Sequence, residues 1–247
     1  MTDFSRNELI WGKEKQKRLK DKHITVFGLG GVGGFALESL ARAGVGNFTI
    51  IDFDTVSESN INRQLVALNS TVGKKKTDLF KNRLQDINPE IKVKTIDDFF
   101  FEGNINTCFE QKTDFVIDAI DTMRSKIELL SYCYENNIPV VTSMGAGNRK
   151  DPTQLYITDI KDIENKKCVF TKNVLYQLEK RGIKSGITAV CSRENPHVSE
   201  KISVTENIKT SSGKSFEFNK ITPGSTPFVP AVAGYYMGWY VLQKLLI

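Results

Sequence analysis

At 247 residues, 40% hydrophobic and 26% charged, the chain can bury one sizeable α/β core, which excludes a disordered or fibrous protein. The net charge of +5 is concentrated in one place: residues 161–220 hold 12 Lys and Arg against 7 Asp and Glu, which suits either a polyanion such as RNA or a solvated lysine-rich face. The four cysteines, Cys108, Cys133, Cys168 and Cys191, form no CxxC pair, so a thioredoxin motif and a cysteine-built zinc site are excluded and a reduced, cytoplasmic setting fits best.

Residues 1–22 are polar and charged, without the apolar stretch of a secretory signal. Residues 8–20 predict a surface helix, a lid or dimer arm. Residues 23–27 form a β-rich run that ends at Gly28, Gly30, Gly31, Gly33 and Gly34, and residues 35–42 have helical spacing. Gly44 and Gly46 end that helix. Residues 47–53 (NFTIIDF) then give a second buried strand, and the resulting βαβ unit with its right-handed crossover implies a parallel sheet. Further on, residues 74–87 and 126–136 predict helices, and residues 92–96, 115–119 and 139–143 predict strands.

After residue 151 the alternation weakens. Residues 154–157 and 202–204 predict strands, 174–181 a helix, and 207–213 (NIKTSSG) have the composition of a loop. Residues 226–247 are almost all apolar or aromatic and approach the ~20 residues of a membrane span. Pro227 and Pro230 at the start, and Gln243 and Lys244 near the end, favour a closing helix on a sheet or a dimer partner, without membrane insertion. The fold expected is an α/β, doubly wound, Rossmann-like mixed sheet, parallel in a nucleotide-binding half (1–145) and less regular in 146–247, with a single domain over 1–247.

The run Gly28-Leu29-Gly30-Gly31-Val32-Gly33 is a GxGxxG that follows a strand and opens a helix, where amides and helix dipole can hold phosphate. Asp52 ends the second strand, 19 residues beyond Gly33, where a carboxylate accepts bonds from ribose hydroxyls. Both features suit NAD in an oxidoreductase as well as they suit ATP. The decision comes from residues 52–64 (DFDTVSESNINRQ), which set Asp52, Asp54, Ser59, Asn60, Arg63 and Gln64 just past the mouth of the site, with Lys76 on the next helix. The Arg63 fork and the Lys76 point charge can neutralise β- and γ-phosphates, and a nicotinamide site has little use for that pair. Residues 115–122 (FVIDAIDT) run from a buried strand into an acidic loop, where Asp121, beside Thr122, suits Mg²⁺ and Asp118 reads as a structural cap.

The string DxDxVxxSNxxRQ, the glycine loop, the lysine after VGKK and the DAIDT loop together resemble the ubiquitin-activating-enzyme superfamily, whose bacterial members adenylate sulfur-carrier proteins. This likeness, over residues 6–145, implies an ATP-dependent adenylyltransferase. Gly31, Asp52, Ser59, Asn60, Arg63, Lys76 and Asp121 become its ATP and metal contacts. It further implies a homodimer in which Arg6 reaches the triphosphate of the other subunit. The sulfur-carrier activators carry two CxxC pairs, which are absent here. The second half, with MGAGN (144–148), DPT (151–153), KRGIK (180–184) and PGSTPFVP (223–230), is similar to the branch that dehydrates threonylcarbamoyladenosine in tRNA.

That branch implies attack of a threonine carboxylate on the α-phosphate of ATP, loss of pyrophosphate, then ring closure with departure of AMP and no enzyme nucleophile. A sulfur-carrier activator, a non-catalytic scaffold and a NAD-dependent oxidoreductase are the alternatives. A sulfur-relay protein partner and a bound monovalent cation stay open. The cysteines read as small buried apolar side chains, with Cys168, in a polar loop, the first to test. His23 and His197 have no metal-ligating partner in sequence, so catalysis is expected to rest on charge neutralisation by Arg63, Lys76, Mg²⁺ and loop amides.

Overall fold

The computed structural model describes residues 3–165, 167–197 and 202–247. The N-terminal helix expected over residues 8–20 is two helices, α1 (Ser5–Trp11) and α2 (Lys13–Leu19), because Gly12 between them adopts a φ of 86°, open to glycine but costly for other residues. They form a brace against the body. Trp11 Nε1 donates to Gln16 Oε1 at 2.9 Å, and Gln16 Nε2 donates to the Ala43 carbonyl at 2.9 Å.

The body begins with β1 (His23–Phe27), buried along its length, then α3 (Gly33–Ala43), β2 (Asn47–Ile51), α4 (Lys76–Ile87) and β3 (Lys92–Ile96). A one-turn α5 (Ile105–Cys108) leads to β4 (Phe115–Asp118), α6 (Met123–Glu135) and β5 (Val140–Ser143). The second half adds β6 (Leu155–Asp159), α7 (Val169–Lys180), β7 (Thr188–Ser192), the hairpin β8 (Ile202–Lys209) and β9 (Ser215–Thr222), and α8 (Phe228–Leu245).

Seven strands form one sheet in the order β3-β2-β1-β4-β5-β7-β6, parallel except where β6 runs antiparallel to β7. The Rossmann-like mixed sheet is therefore as expected. Chain order reverses between β1 and β4, which opens a crevice at the carboxyl edge, the usual ligand position in such sheets. Strands β7 and β9 were not expected. Residues 207–209, expected in a loop, instead complete β8 and pair with β9. Helices α6 and α7 begin earlier than expected because their first turns bury polar side chains, Ser125 and Thr171, which hydrophobic periodicity does not register.

Each face of the sheet has its own core. Ile24, Val26, Ile50 and Ile117 pack with α3, α4 and α8, while Phe27, Ile51 and Val116 pack with α6 and α7. The apolar C-terminal segment is the closing helix anticipated, and no described helix is long and apolar enough to cross a membrane. Helix α8 lies directly on α3: Pro230 meets Gly31, Gly234 meets the Val32 carbonyl and Gly238 meets Ser39. Contacts advance in the same direction on both helices, so they run parallel. Both therefore start at the glycine loop.

Candidate active site

The glycine loop packs too tightly for side chains at its ends. Gly28 has φ +86°, and a Cβ there would stand 2.7 Å from the Ala119 carbonyl oxygen, while one at Gly33 would collide with the Gly28 carbonyl. Gly30 instead has open space, bounded at 3.7 Å by Gln64 Nε2. At the loop's other side Gly31 lies against Arg63 and Pro230, so the segment before α8 helps to wall the crevice.

Asp52 holds this geometry. Its Oδ2 accepts from the Leu29 N–H at 2.6 Å and its Oδ1 from the Asp54 N–H at 2.8 Å. Burial pushes its carboxyl up to about 6, against the opposing charge of Lys76. Lys76 opens α4 and is itself buried, with Nζ 2.7 Å from Asp54 Oδ2 and 4.0 Å from Asp52 Oδ1. One cation thus sits between two carboxylates at the crevice rim.

The turn after β2 is fixed by Asn60, buried, whose Oδ1 accepts from the Ser57 N–H at 3.2 Å, and by a 2.9 Å contact between Ser57 Oγ and Ser59 Oγ. This turn presents Arg63, whose Nη1 donates to Ser59 O and Asn62 Oδ1, each at 2.9 Å. Burial lowers its guanidinium from the usual range, and the charge of Asp121 acts against that shift, so the two lie within range of each other's charge. Gln64 is buried, with its Nε2 toward Gly30 and its Oε1 lacking a hydrogen bond. Thr122 Oγ1 lies 3.5 Å from Asp121 Oδ1, at the entrance to α6.

The structure therefore gathers the glycine loop, Asp52, Asp54, Ser59, Asn60, Arg63, Gln64, Lys76, Asp121 and Thr122 at one crevice. Arg6 is elsewhere. It lines a cavity of about 460 Å³ with Arg42, Arg83 and Asp86, at the C-terminal end of α3, roughly 16 Å of helix from the glycine loop. The side chains suit a triphosphate with Mg²⁺: a single loop carboxylate, Asp121, would be joined by phosphate oxygens, and the Gln64 Nε2 beside Gly30 is a donor for one of them. Among the described residues no three His, Cys, Asp or Glu side chains cluster as a metal site. His23 is structural, bonded to Lys112 O at 2.8 Å and Thr49 Oγ1 at 2.9 Å, and His197 lies 3.3 Å from Glu194.

Two features escaped the sequence. Asp118 is more than a cap: besides accepting from the Ile120 N–H at 3.1 Å, it forms a fully buried pair with Lys126 at 2.6 Å, and Thr142 Oγ1 donates to it at 2.6 Å. That network clamps the strand end from which the acidic loop departs. The cysteines also divide. Cys108, Cys133 and Cys191 are inert by burial, with Cys108 and Cys191 pushed up to about 12. Cys168 is buried as expected but differs electrostatically: burial acts to raise it, but Thr171 and Arg149 together bring the thiol below its ordinary value.

A tight glycine loop between strand and helix, a carboxylate at the end of β2, and Arg63 and Lys76 near a sheet's switch point are the arrangement of a nucleotide-binding α/β protein. The chain belongs to the ThiF family, whose model matches residues 4–246. It is 43% identical over 246 residues, 98% of this chain and 94% of the relative, to the tRNA threonylcarbamoyladenosine dehydratase of Bacillus subtilis. To the molybdopterin-synthase adenylyltransferase of Escherichia coli it is 35% identical over 127 residues, 51% of each chain. The crystal structure of the E. coli tRNA N6-threonylcarbamoyladenosine dehydratase in complex with ATP superposes with a TM-score of 0.85 at 32% identity, covering 98% of this chain and 93% of that one.

Proposed function

We propose that the chain uses ATP to adenylate the threonyl carboxylate of threonylcarbamoyladenosine in tRNA and then closes the ring, with net loss of water. The observation that carries this is the crevice itself, in which Arg63 lies against the glycine loop and within range of the Asp121 charge, and Lys76 pairs with the carboxylates at the end of β2, in a family member that resembles such dehydratases along nearly its whole length. A carboxylate attacks without deprotonation, so the work of these residues is electrostatic. The loop amides and the positive end of α3 hold phosphate, while Arg63 and Lys76 neutralise charge as a carboxylate oxygen bonds to the α-phosphorus and pyrophosphate departs. The carbamoyl group then attacks the adenylated carbonyl and AMP leaves. Asp121 would hold Mg²⁺, which supplies further charge neutralisation when bound.

The proposal includes a homodimer with shared sites. Arg6 lies far from its own crevice, and α8 exposes Phe228, Tyr235 and Trp239, an apolar face suited to a second copy. Exposed Lys167, Lys172, Lys180, Lys184 and Lys214 offer contacts for tRNA phosphates. Cytoplasmic residence, and a sulfur-relay protein as a further partner, follow the family resemblance. Mass spectrometry of nucleosides from tRNA incubated with the protein, ATP and Mg²⁺ tests the activity. The threonylcarbamoyl nucleoside should lose one water and AMP should accumulate in equal amount; an unchanged nucleoside overturns the proposal.

A further inference from the structure

Arg149 is a charge without a counterpart. It is only 3% exposed, yet it makes no ion pair with any described carboxylate. Its Nη1 reaches the Gly147 carbonyl at 3.3 Å, and its Nε has no hydrogen-bond partner. A buried guanidinium without an anion is strongly disfavoured, so negative charge belongs beside it. The ionisable groups it acts on are thiols, Cys168 and Cys191.

Cys168 is the better placed of the two. It occupies the N-cap position of α7, a 12-residue helix whose unpaired first-turn amides and dipole favour an anion. Thr171 lies against it from that first turn, fastened by its own hydroxyl bond to Met144 O at 3.0 Å. A cationic side chain and a helix N-terminus thus converge on one sulfur. This is the microenvironment that converts an inert cysteine into a nucleophile.

We infer that Cys168, at the N-terminus of α7 beside the buried and incompletely partnered Arg149, is a modification site for small hydroperoxides, separate from the nucleotide crevice. The direction of its thiol shift agrees with the geometry, and the other three cysteines shift the opposite way. With 7% of the residue exposed, a molecule the size of hydrogen peroxide is the fitting class of reactant. The deprotonated sulfur attacks one peroxide oxygen, the O–O bond breaks, and the departing hydroxide takes up the proton that the thiol released to solvent and leaves as water. Cys168 becomes a sulfenic acid, oxidised by two electrons, and the peroxide is reduced.

The full-length protein provides the test. It is treated with limiting hydrogen peroxide across roughly pH 5–9, quenched and unfolded in dimedone, and the sulfenic acid formed at each cysteine is read by mass spectrometry of its peptides. Near neutral pH the Cys168 peptide should label about tenfold faster than those of Cys108, Cys133 and Cys191, with a pH midpoint below that of an ordinary thiol. Arg149→Met should raise that midpoint and slow labelling, and Arg149→Lys should restore most of the rate. If Arg149→Met fails to fold, the wild-type profile and Arg149→Lys decide. Cys168 labelling no faster than the other three, or a midpoint unmoved in a folded Arg149→Met protein, overturns the inference.

Discussion

Asp52 links the loop's shape to its ligand's chemistry through one proton. Burial holds its carboxyl at about 6, so between the unfolded value and that point the folded protein binds the extra proton and loses stability as pH rises. Ligand binding in the proposed mode has the opposite slope: a ribose hydroxyl would donate to the ionised carboxylate, and below about pH 6 a proton would first have to be expelled. Affinity for adenosine, whose lack of phosphates removes a competing titration, should therefore fall as pH drops through 6, by at most about tenfold per unit. Calorimetry should show this slope in the wild type and a flat profile in Asp52→Asn; a slope that survives the substitution refutes the assignment. Residues of this kind were legible in the sequence because their chemistry is local, with Asp52, Asp54, Asn60 and Arg63 carried by one short turn. Lys126 was not, since a lysine on a helix reads as surface until Asp118 and Thr142 arrive from two other strands. The Arg149 and Cys168 pair was hidden for the same reason.

The elements show a similar division. Parallel strands buried on both faces announce themselves as largely apolar runs, and β1, β2, β4 and β5 were read within a residue or two, while the half-exposed edge strand β3, KVKTI, was read from its alternation. Strand β7, TAVCS, is short and mixes small with polar residues, and the break at Gly12 depends on a backbone angle that no periodicity encodes. The fit of α8 on α3 is also set by absent side chains, because Gly234 meets the Val32 carbonyl with no room between. Gly234→Val should lower stability by about 1–3 kcal/mol despite the intrinsic gain in helix propensity. Urea denaturation measures it, and a neutral or stabilised variant contradicts the packing described.

At the scale of the whole molecule, the position of Arg6 separates two architectures. If each crevice borrows Arg6 from a second copy, Arg6→Ala and Lys76→Ala proteins are each inactive alone, but mixed dimers rebuild one intact crevice. Mixing equal amounts through unfolding and refolding should then recover about a quarter of wild-type pyrophosphate exchange. No recovery would confine Arg6 to a structural role at the end of α3.

The wall that Pro230 forms against Gly31 has a consequence for the order of events at the ribosome. The phosphate loop leaves the exit tunnel roughly 200 residues before the segment that completes it, a delay of ~10–40 s at ordinary synthesis rates. A half-made chain consequently has no finished nucleotide site, and nucleotide capture becomes a property of nearly completed translation.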